Sequence, residues 1–130
     1  MPLSNAFSMY PYRWALSGGG RGIVRVEVST DGGKTWQVAD LLDRPSSWAE
    51  RDPSGAEFGW TRWSIEVPAK ELLAAQAQAQ AQEKGKKGQV EIVCRAVDTS
   101  YSVQPESVKT IWNMRGLLNS AWHHVHITIQ

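Results

Sequence analysis

Three features of the sequence predict an all-β fold, an immunoglobulin-like antiparallel β-sandwich of about seven strands. Apolar and polar residues alternate with period 2 in several short runs, helical periodicity hardly appears, and Gly, Pro and Asp separate the runs. A chain of 130 residues is expected to form one domain able to bury a core without disulfides or metals. The reading divides it into an N-terminal extension or linker, residues 1–11, and a sandwich over residues 12–130.

Taken in order, Gly18-Gly19-Gly20 before Arg21 form a tight bend. They lack the spacing and the Lys-Ser/Thr pair of a phosphate-binding loop. Residues 23–29 form a half-buried strand, with Val24, Val26 and Val28 on one face and Arg25 and Glu27 on the other. Asp31-Gly32-Gly33-Lys34 supply a hairpin turn, after which Trp36 and Val38 align on the returning strand. Residues 60–67 place Trp63, Ile65 and Val67 on one side, and Pro68 stops the strand. Residues 90–98 turn Val90, Ile92, Cys94 and Ala96 inward, which makes Cys94 a core filler. Residues 107–111 and 122–129 complete the set, with Val125, Ile127 and Ile129 inward.

Two stretches fall outside this core. Residues 43–59, rich in Pro, Ser, Asp and Gly, read as a long loop ordered only against a partner. Residues 69–88 read as an insertion whose Gln-Ala alternation favours a short helix. It shows no apolar stripe, so a solvated helix or disordered segment is expected, with Lys84, Lys86 and Lys87 at a solvated tip.

Composition narrows the function. Lys+Arg 14 against Asp+Glu 13 gives net charge +1, so no chain-wide field favours nucleic acid or an anionic membrane, and neither is expected as a partner. The single cysteine, Cys94, excludes an intramolecular disulfide. No apolar run approaches the roughly 20 residues of a membrane-spanning helix. Tryptophan is abundant, at 7, and core packing is expected to take about half of them. His124 and His126 share a strand face and would reach one metal ion, but zinc normally takes three or four protein ligands. With no nucleophile elbow and no histidine near Cys94 in sequence, no catalytic residue and no metal ligand is assigned.

The most informative stretch is Trp112-Asn113-Met114-Arg115-Gly116, followed by Ala121-Trp122-His123-His124-Val125-His126. Arg115 is a permanently charged fork of donors matched to a tetrahedral oxyanion, and tryptophan walls would exclude water around it. Arg115 capping carbonyls, or pairing with an acid at a domain junction, is the alternative.

Several motifs occur in one order: Trp14-Ala15-Leu16-Ser17-Gly18-Gly19-Gly20-Arg21; Val26-Glu27-Val28-Ser29-Thr30-Asp31-Gly32-Gly33-Lys34-Thr35-Trp36; Ala96-Val97-Asp98; Val103-Gln104-Pro105; and residues 112–126. Together, over roughly residues 12–130, they resemble the C-terminal dimerisation domain of the eukaryotic sulfite oxidase and nitrate reductase family of molybdenum enzymes. The resemblance implies a parent enzyme whose preceding domain holds molybdenum-molybdopterin on a cysteine that is not Cys94, with no cofactor bound by this chain. It implies an immunoglobulin-like sandwich that forms a homodimer and lends part of a pocket for sulfite or sulfate. An arginine at the position of Arg115 marks the sulfite oxidase branch, where plant-type nitrate reductases carry methionine. Arg115 and Trp112 are therefore expected to bind substrate, without catalysis by this chain alone.

For the dimer contact, Trp60, Arg62 and Trp63 with the outward Arg25 and Glu27 are the candidates, Trp63 being equally a core residue. The insertion before Val90 is longer than the family pattern, which leaves an excised domain, a truncated product and a stand-alone relative all open. The rival reading is a free-standing sandwich whose exposed tryptophans bind a sugar or protein. Localisation is left open: no Arg-rich presequence or apolar signal is evident, and an intracellular, mitochondrial or other organellar parent fits equally.

Overall fold

The structure is a computed structural model, and it describes residues 8, 9, 11–42, 56–81 and 88–129. Lys84, Lys86 and Lys87, Trp48 and residues 43–55 of the expected loop lie outside the described residues. The strands are β1 (Ser8–Met9), β2 (Tyr12–Ala15), β3 (Ile23–Ser29), β4 (Gln37–Val38), β5 (Asp40–Leu41), β6 (Thr61–Ser64), β7 (Val67–Pro68), β8 (Gln89–Asp98) and β9 (His123–Thr128). One helix, α1 (Ala69–Ala81), follows β7.

Every strand pairing among the described residues is antiparallel. One sheet runs β4-β3-β8-β9, another runs β2-β6-β5, and β1 pairs with β7. Between β1 and β2 stands Pro11, which has no N–H to give a ladder; its carbonyl still accepts the Ile65 N–H at 3.4 Å. The β1–β7 pair therefore continues the β2–β6 pair across that interruption, and the molecule has two layers. At Ala39 the chain passes from β4 in one layer to β5 in the other. Ala39 is buried there, and its N–H bonds to Val26 O at 2.9 Å.

The core lies between the layers: Val26, Val28, Val90 and Ile92 from one side meet Trp63, Ile65 and Val67 from the other. Fully burying such side chains contributes about 1.5–3 kcal/mol each. The predicted all-β sandwich is thus the observed architecture. Cys94 packs against this cluster half-buried, as does Ile127.

Five expectations are corrected. Residues 60–67 are split between β6 and β7, and Pro68, instead of stopping the strand, belongs to β7 and pairs with Ser8. A register irregularity between Ile23 and Arg25 breaks the alternation at Val24, so Ile23, Val26 and Val28 are the apolar residues buried from β3. Residues 107–111 form no strand: Val108–Thr110 are a 3-10 turn closed by Ile111 N–H on Val108 O at 3.1 Å. Both edges of β8 are taken, by β3 and β9, so that segment cannot pair with β8. The insertion does bury a face, since Leu72 and Ala75 enter the core, with Gln76 and Ala79 half-buried beside them. Thr30 and Gln37 tie the helix down by donating to Glu71 Oε1 at 3.0 and 2.6 Å. Finally, Trp63 alone among the described tryptophans is fully buried; Trp36 and Trp122 are half-buried, and Trp14, Trp60 and Trp112 are exposed.

The hairpin between β3 and β4 is held by its own polar groups. Asp31 Oδ1 accepts the N–H groups of Lys34 and Thr35 at 2.9 Å each, and Oδ2 accepts the Thr35 hydroxyl at 2.6 Å. Ser29, itself buried, donates to Asp31 and accepts the Gly33 N–H at 2.8 Å. At Gly33 φ is +90°, and a Cβ would meet the Trp122 ring at 3.0 Å, so glycine is required twice over. Burial alone would raise the Asp31 pKa; the bonds from Thr35, Ser29 and Lys34 outweigh it and bring it down to about 2. A folded-state pKa below the unfolded value stabilises above about pH 4 and ceases to do so as pH falls toward 2. Asp31→Ala is accordingly expected to cost about 1 kcal/mol at pH 6 and a small fraction of that at pH 2. Urea unfolding of both proteins at the two pH values measures this, and an equal cost at both would refute the assignment.

Candidate functional site

The site is built outward from the end of β8. Asp98, 5% exposed, accepts the Ser17 hydroxyl at 2.8 Å and the N–H groups of Ser100 and Ser102 at 2.9 and 3.1 Å. Burial would raise its pKa, but these bonds and the Arg21 charge lower it, so the carboxylate stays ionised. The chain after β8 is thereby folded back, through Tyr101 at φ +57°, so that Val103 bridges to Val97.

Gln104 then does the work of a short strand. Its Oε1 accepts the Ala96 N–H at 2.7 Å, and its Nε2 donates to Ser120 O and Ala121 O at 2.9 and 3.3 Å. The Trp122 indole donates to Gln104 O at 3.1 Å, and the Trp122 N–H to Pro105 O at 3.0 Å. Both ends of the intervening segment are thus fixed to the sandwich.

Arg115 sits on that segment, in a turn organised by Asn113. Asn113 Oδ1 accepts the N–H groups of Arg115 and Leu117 at 3.2 and 3.1 Å, and Asn113 Nδ2 donates to Leu117 O at 2.6 Å. Gly116, at φ +65°, donates to Asn113 O at 3.1 Å. Arg115 is exposed, and among the described residues no ion pair or hydrogen bond holds its guanidinium. Around it stand Trp112, 73% exposed, Met114, Leu117, and Leu118, 92% exposed in a left-handed conformation at φ +59°. The segment thus exposes apolar side chains on either side of Arg115 in sequence, with its guanidinium unpaired among the described residues.

A cavity of about 530 Å³ opens between the layers, lined in part by Arg13, Trp14, Trp60, Cys94, Ser120 and His123. Burial pushes the Cys94 thiol up, against a smaller opposing pull from the Arg13 charge. His123 pairs with Cys94 across the ladder, a neighbour that sequence separation concealed.

The candidate dimer residues divide between two surfaces. Arg25 and Glu27 lie on the outer face of the four-stranded sheet, where Glu27 bonds Arg25 at 3.1 Å and Arg95 at 2.6 Å. The Arg95 guanidinium in turn lies 3.9 Å over Trp36, whose ring meets Trp122 edge-on at 4.9 Å. Trp60 and Arg62 belong to the other layer; Arg62 donates to Tyr12 Oη at 2.9 Å, and Tyr12 meets Trp14 edge-on at 5.5 Å. Trp63, 4% exposed, is a core residue and is withdrawn from the exposed patch. His124 and His126 do share a face, and both approach Glu91 Oε1, at 2.8 and 3.8 Å. No group of three or more His, Cys, Asp or Glu is placed to hold a metal among the described residues.

In the sequence Asn113, Gln104, Asp98, Trp36 and Trp122 stand only as members of ordered motifs with none of these contacts assigned to them, and Arg95 is not singled out. The spacing Asn113-x-x-Gly116 is a turn signal that points to the first; the others depend on contacts distant in sequence.

Comparison with known proteins identifies the family and the fold. A family model described as "Mo-co oxidoreductase dimerisation domain" matches residues 5–130. The chain is 46% identical over 110 residues to sulfite oxidase of Gallus gallus, which covers 85% of this chain and 19% of that protein. It is 37% identical over 134 residues to a nitrate reductase [NAD(P)H] of Hordeum vulgare, covering 99% of this chain and 13% of that protein. The chain thus spans about a fifth or less of the length of these relatives. The sulfane dehydrogenase SoxCD of Paracoccus pantotrophus shares the fold, with TM-score 0.58 and 23% identity over 93% of this chain and 25% of that one.

The raised Cys94 pKa has a kinetic consequence, because the thiolate is the reactive form. At pH 8 the native protein is expected to react with a disulfide reagent at least about tenfold more slowly than the denatured chain. A native rate equal to the denatured one would show an accessible, unperturbed thiol.

Proposed function

The chain belongs to the Mo-co oxidoreductase dimerisation domain family, and on that premise we propose that it serves a sulfite-oxidase-type molybdenum oxidoreductase. In this reading it forms a homodimer and carries Arg115 into the oxyanion pocket of a preceding cofactor domain. The supporting observation is the unpaired Arg115 guanidinium, presented on a structured turn amid exposed Trp112, Met114, Leu117 and Leu118. A cation and an apolar surface left uncovered together fit a junction with another domain better than a free surface.

The donors of this chain do not fit the cofactor itself: its one thiol is held protonated by burial and faces the core. The molybdenum cofactor is therefore assigned to the preceding domain, where it supplies the redox chemistry. Arg115 binds and orients. Its planar fork makes paired, charge-assisted bonds to a small dianion, and covering the site with a second domain lowers the dielectric and strengthens them. Trp112 adds a wall that excludes water.

For self-association the reading favours the face of Trp60 and Arg62. On the opposite face Glu27 already neutralises Arg25 and Arg95 within the chain, so a partner gains little there. Beside Trp60 the rings of Tyr12 and Trp14 stand exposed, an aromatic surface of the kind enriched at contacts.

Two experiments test these assignments. In the molybdenum-loaded parent enzyme, Arg115→Met should raise the sulfite KM about ten- to a hundredfold, the range expected for a lost charge-assisted bidentate contact; an unchanged KM would remove Arg115 from the pocket. In sedimentation of that enzyme, Trp60→Ser should weaken the dimer at least about tenfold while Arg25→Ser leaves it intact. The reverse pattern would move the contact to the four-stranded sheet.

A further inference from the structure

We propose that Asn113 is a positioning residue for Arg115: it sets the direction in which the guanidinium leaves the backbone, without touching the anion. The inference rests on the reading that Arg115 binds the oxyanion. Both ends of the Asn113 amide are engaged inside the turn, the oxygen by the Arg115 and Leu117 N–H groups and the nitrogen by Leu117 O. The Gly116 N–H closes the turn on Asn113 O. One side chain therefore bonds the Arg115 backbone itself and both backbone groups of the residue two positions beyond it.

Free arginine has many rotamers, and a mobile backbone beneath it would multiply the directions its fork samples. Holding the Arg115 backbone in advance confines the ordering required on anion capture to the side chain, which is how preorganisation raises affinity. Gly116 completes the device. A Cβ there would meet nothing within 4 Å, so only its left-handed φ of +65° demands glycine. Substitution at Gly116 thus perturbs the turn through backbone conformation alone, independently of the Asn113 side chain.

The test uses the molybdenum-loaded parent enzyme with four variants: Asn113→Ala, Gly116→Ala, Gly116→Asn and Arg115→Met. Asn113→Ala and Gly116→Ala should each raise the sulfite KM about fivefold, the size of one lost hydrogen bond, with kcat changing less than about twofold. Gly116→Asn should return KM to near the parent value, because asparagine enters the left-handed region far more readily than alanine. Amide exchange over residues 112–118, followed by mass spectrometry in the same proteins, should quicken about tenfold in the two alanine variants and not in Arg115→Met. The inference is overturned if Arg115→Met raises KM and the alanine variants do not, a result that leaves the arginine assignment standing. It also falls if Arg115→Met is silent, which removes the reading beneath it. Should Asn113→Ala fail to fold, the Gly116→Ala and Gly116→Asn pair still decides.

Discussion

The buried carboxylate of Asp98 is the constraint on which the functional end of the molecule depends. It joins the exit of β2, through Ser17, to the loop after β8, through Ser100 and Ser102. Without that junction the chain leaving β8 would have no reason to double back, and Gln104 would not meet the Ala96 N–H. Each later feature follows from the one before it: Gln104 fixes residues 120 and 121, Trp122 seals the entry to β9, and the Arg115 turn hangs between two anchored ends. A buried charge is costly unless its bonds are satisfied. Here three donors and the Arg21 charge meet that requirement, which makes the junction directional as well as stable.

The two outer faces solve the problem of surface charge differently. On the four-stranded sheet, Glu27, Arg25, Arg95, Trp36 and Trp122 form a closed set in which ion pairs and ring faces answer one another within the chain. On the other layer, aromatic rings remain exposed around Arg62. The contrast separates a face complete in itself from one with surface to offer, and it could not be read from strand alternation, which marks both simply as outward.

Much of the layered fold was legible because its signals are local. Alternation in residues 23–29 and 90–98 marks both as strands, although Val24 falls at an irregularity and Val93 and Val97 are buried against the pattern, and Asp31-Gly32-Gly33-Lys34 encodes its own turn in side-chain acceptors and glycines. Where the reading failed, a distant partner decided. Residues 107–111 have strand-like composition but close a 3-10 turn, beside a β8 whose two edges are already paired. The alanine-glutamine helix has too few apolar residues to show a stripe, yet Leu72 and Ala75 suffice because Thr30 and Gln37 hold it against the sheet. At the candidate site, Arg115 and Trp112 stood out by residue type and by resemblance. The parts that give them geometry, Asn113, Gln104 and Asp98, are ordinary polar residues whose importance lies in what they bond.

Gln104 has a consequence for how such a domain can diversify. By bonding β8 and the approach to β9 at once, it makes residues 106–119 a cassette clipped to the scaffold at two points. Changes of sequence or length inside the cassette alter what is presented to a neighbouring domain while the clips keep the strands in register. What the cassette displays and the architecture that carries it are thereby separable: a lineage can exchange residues between positions 106 and 119 without rebuilding the sandwich that bears them.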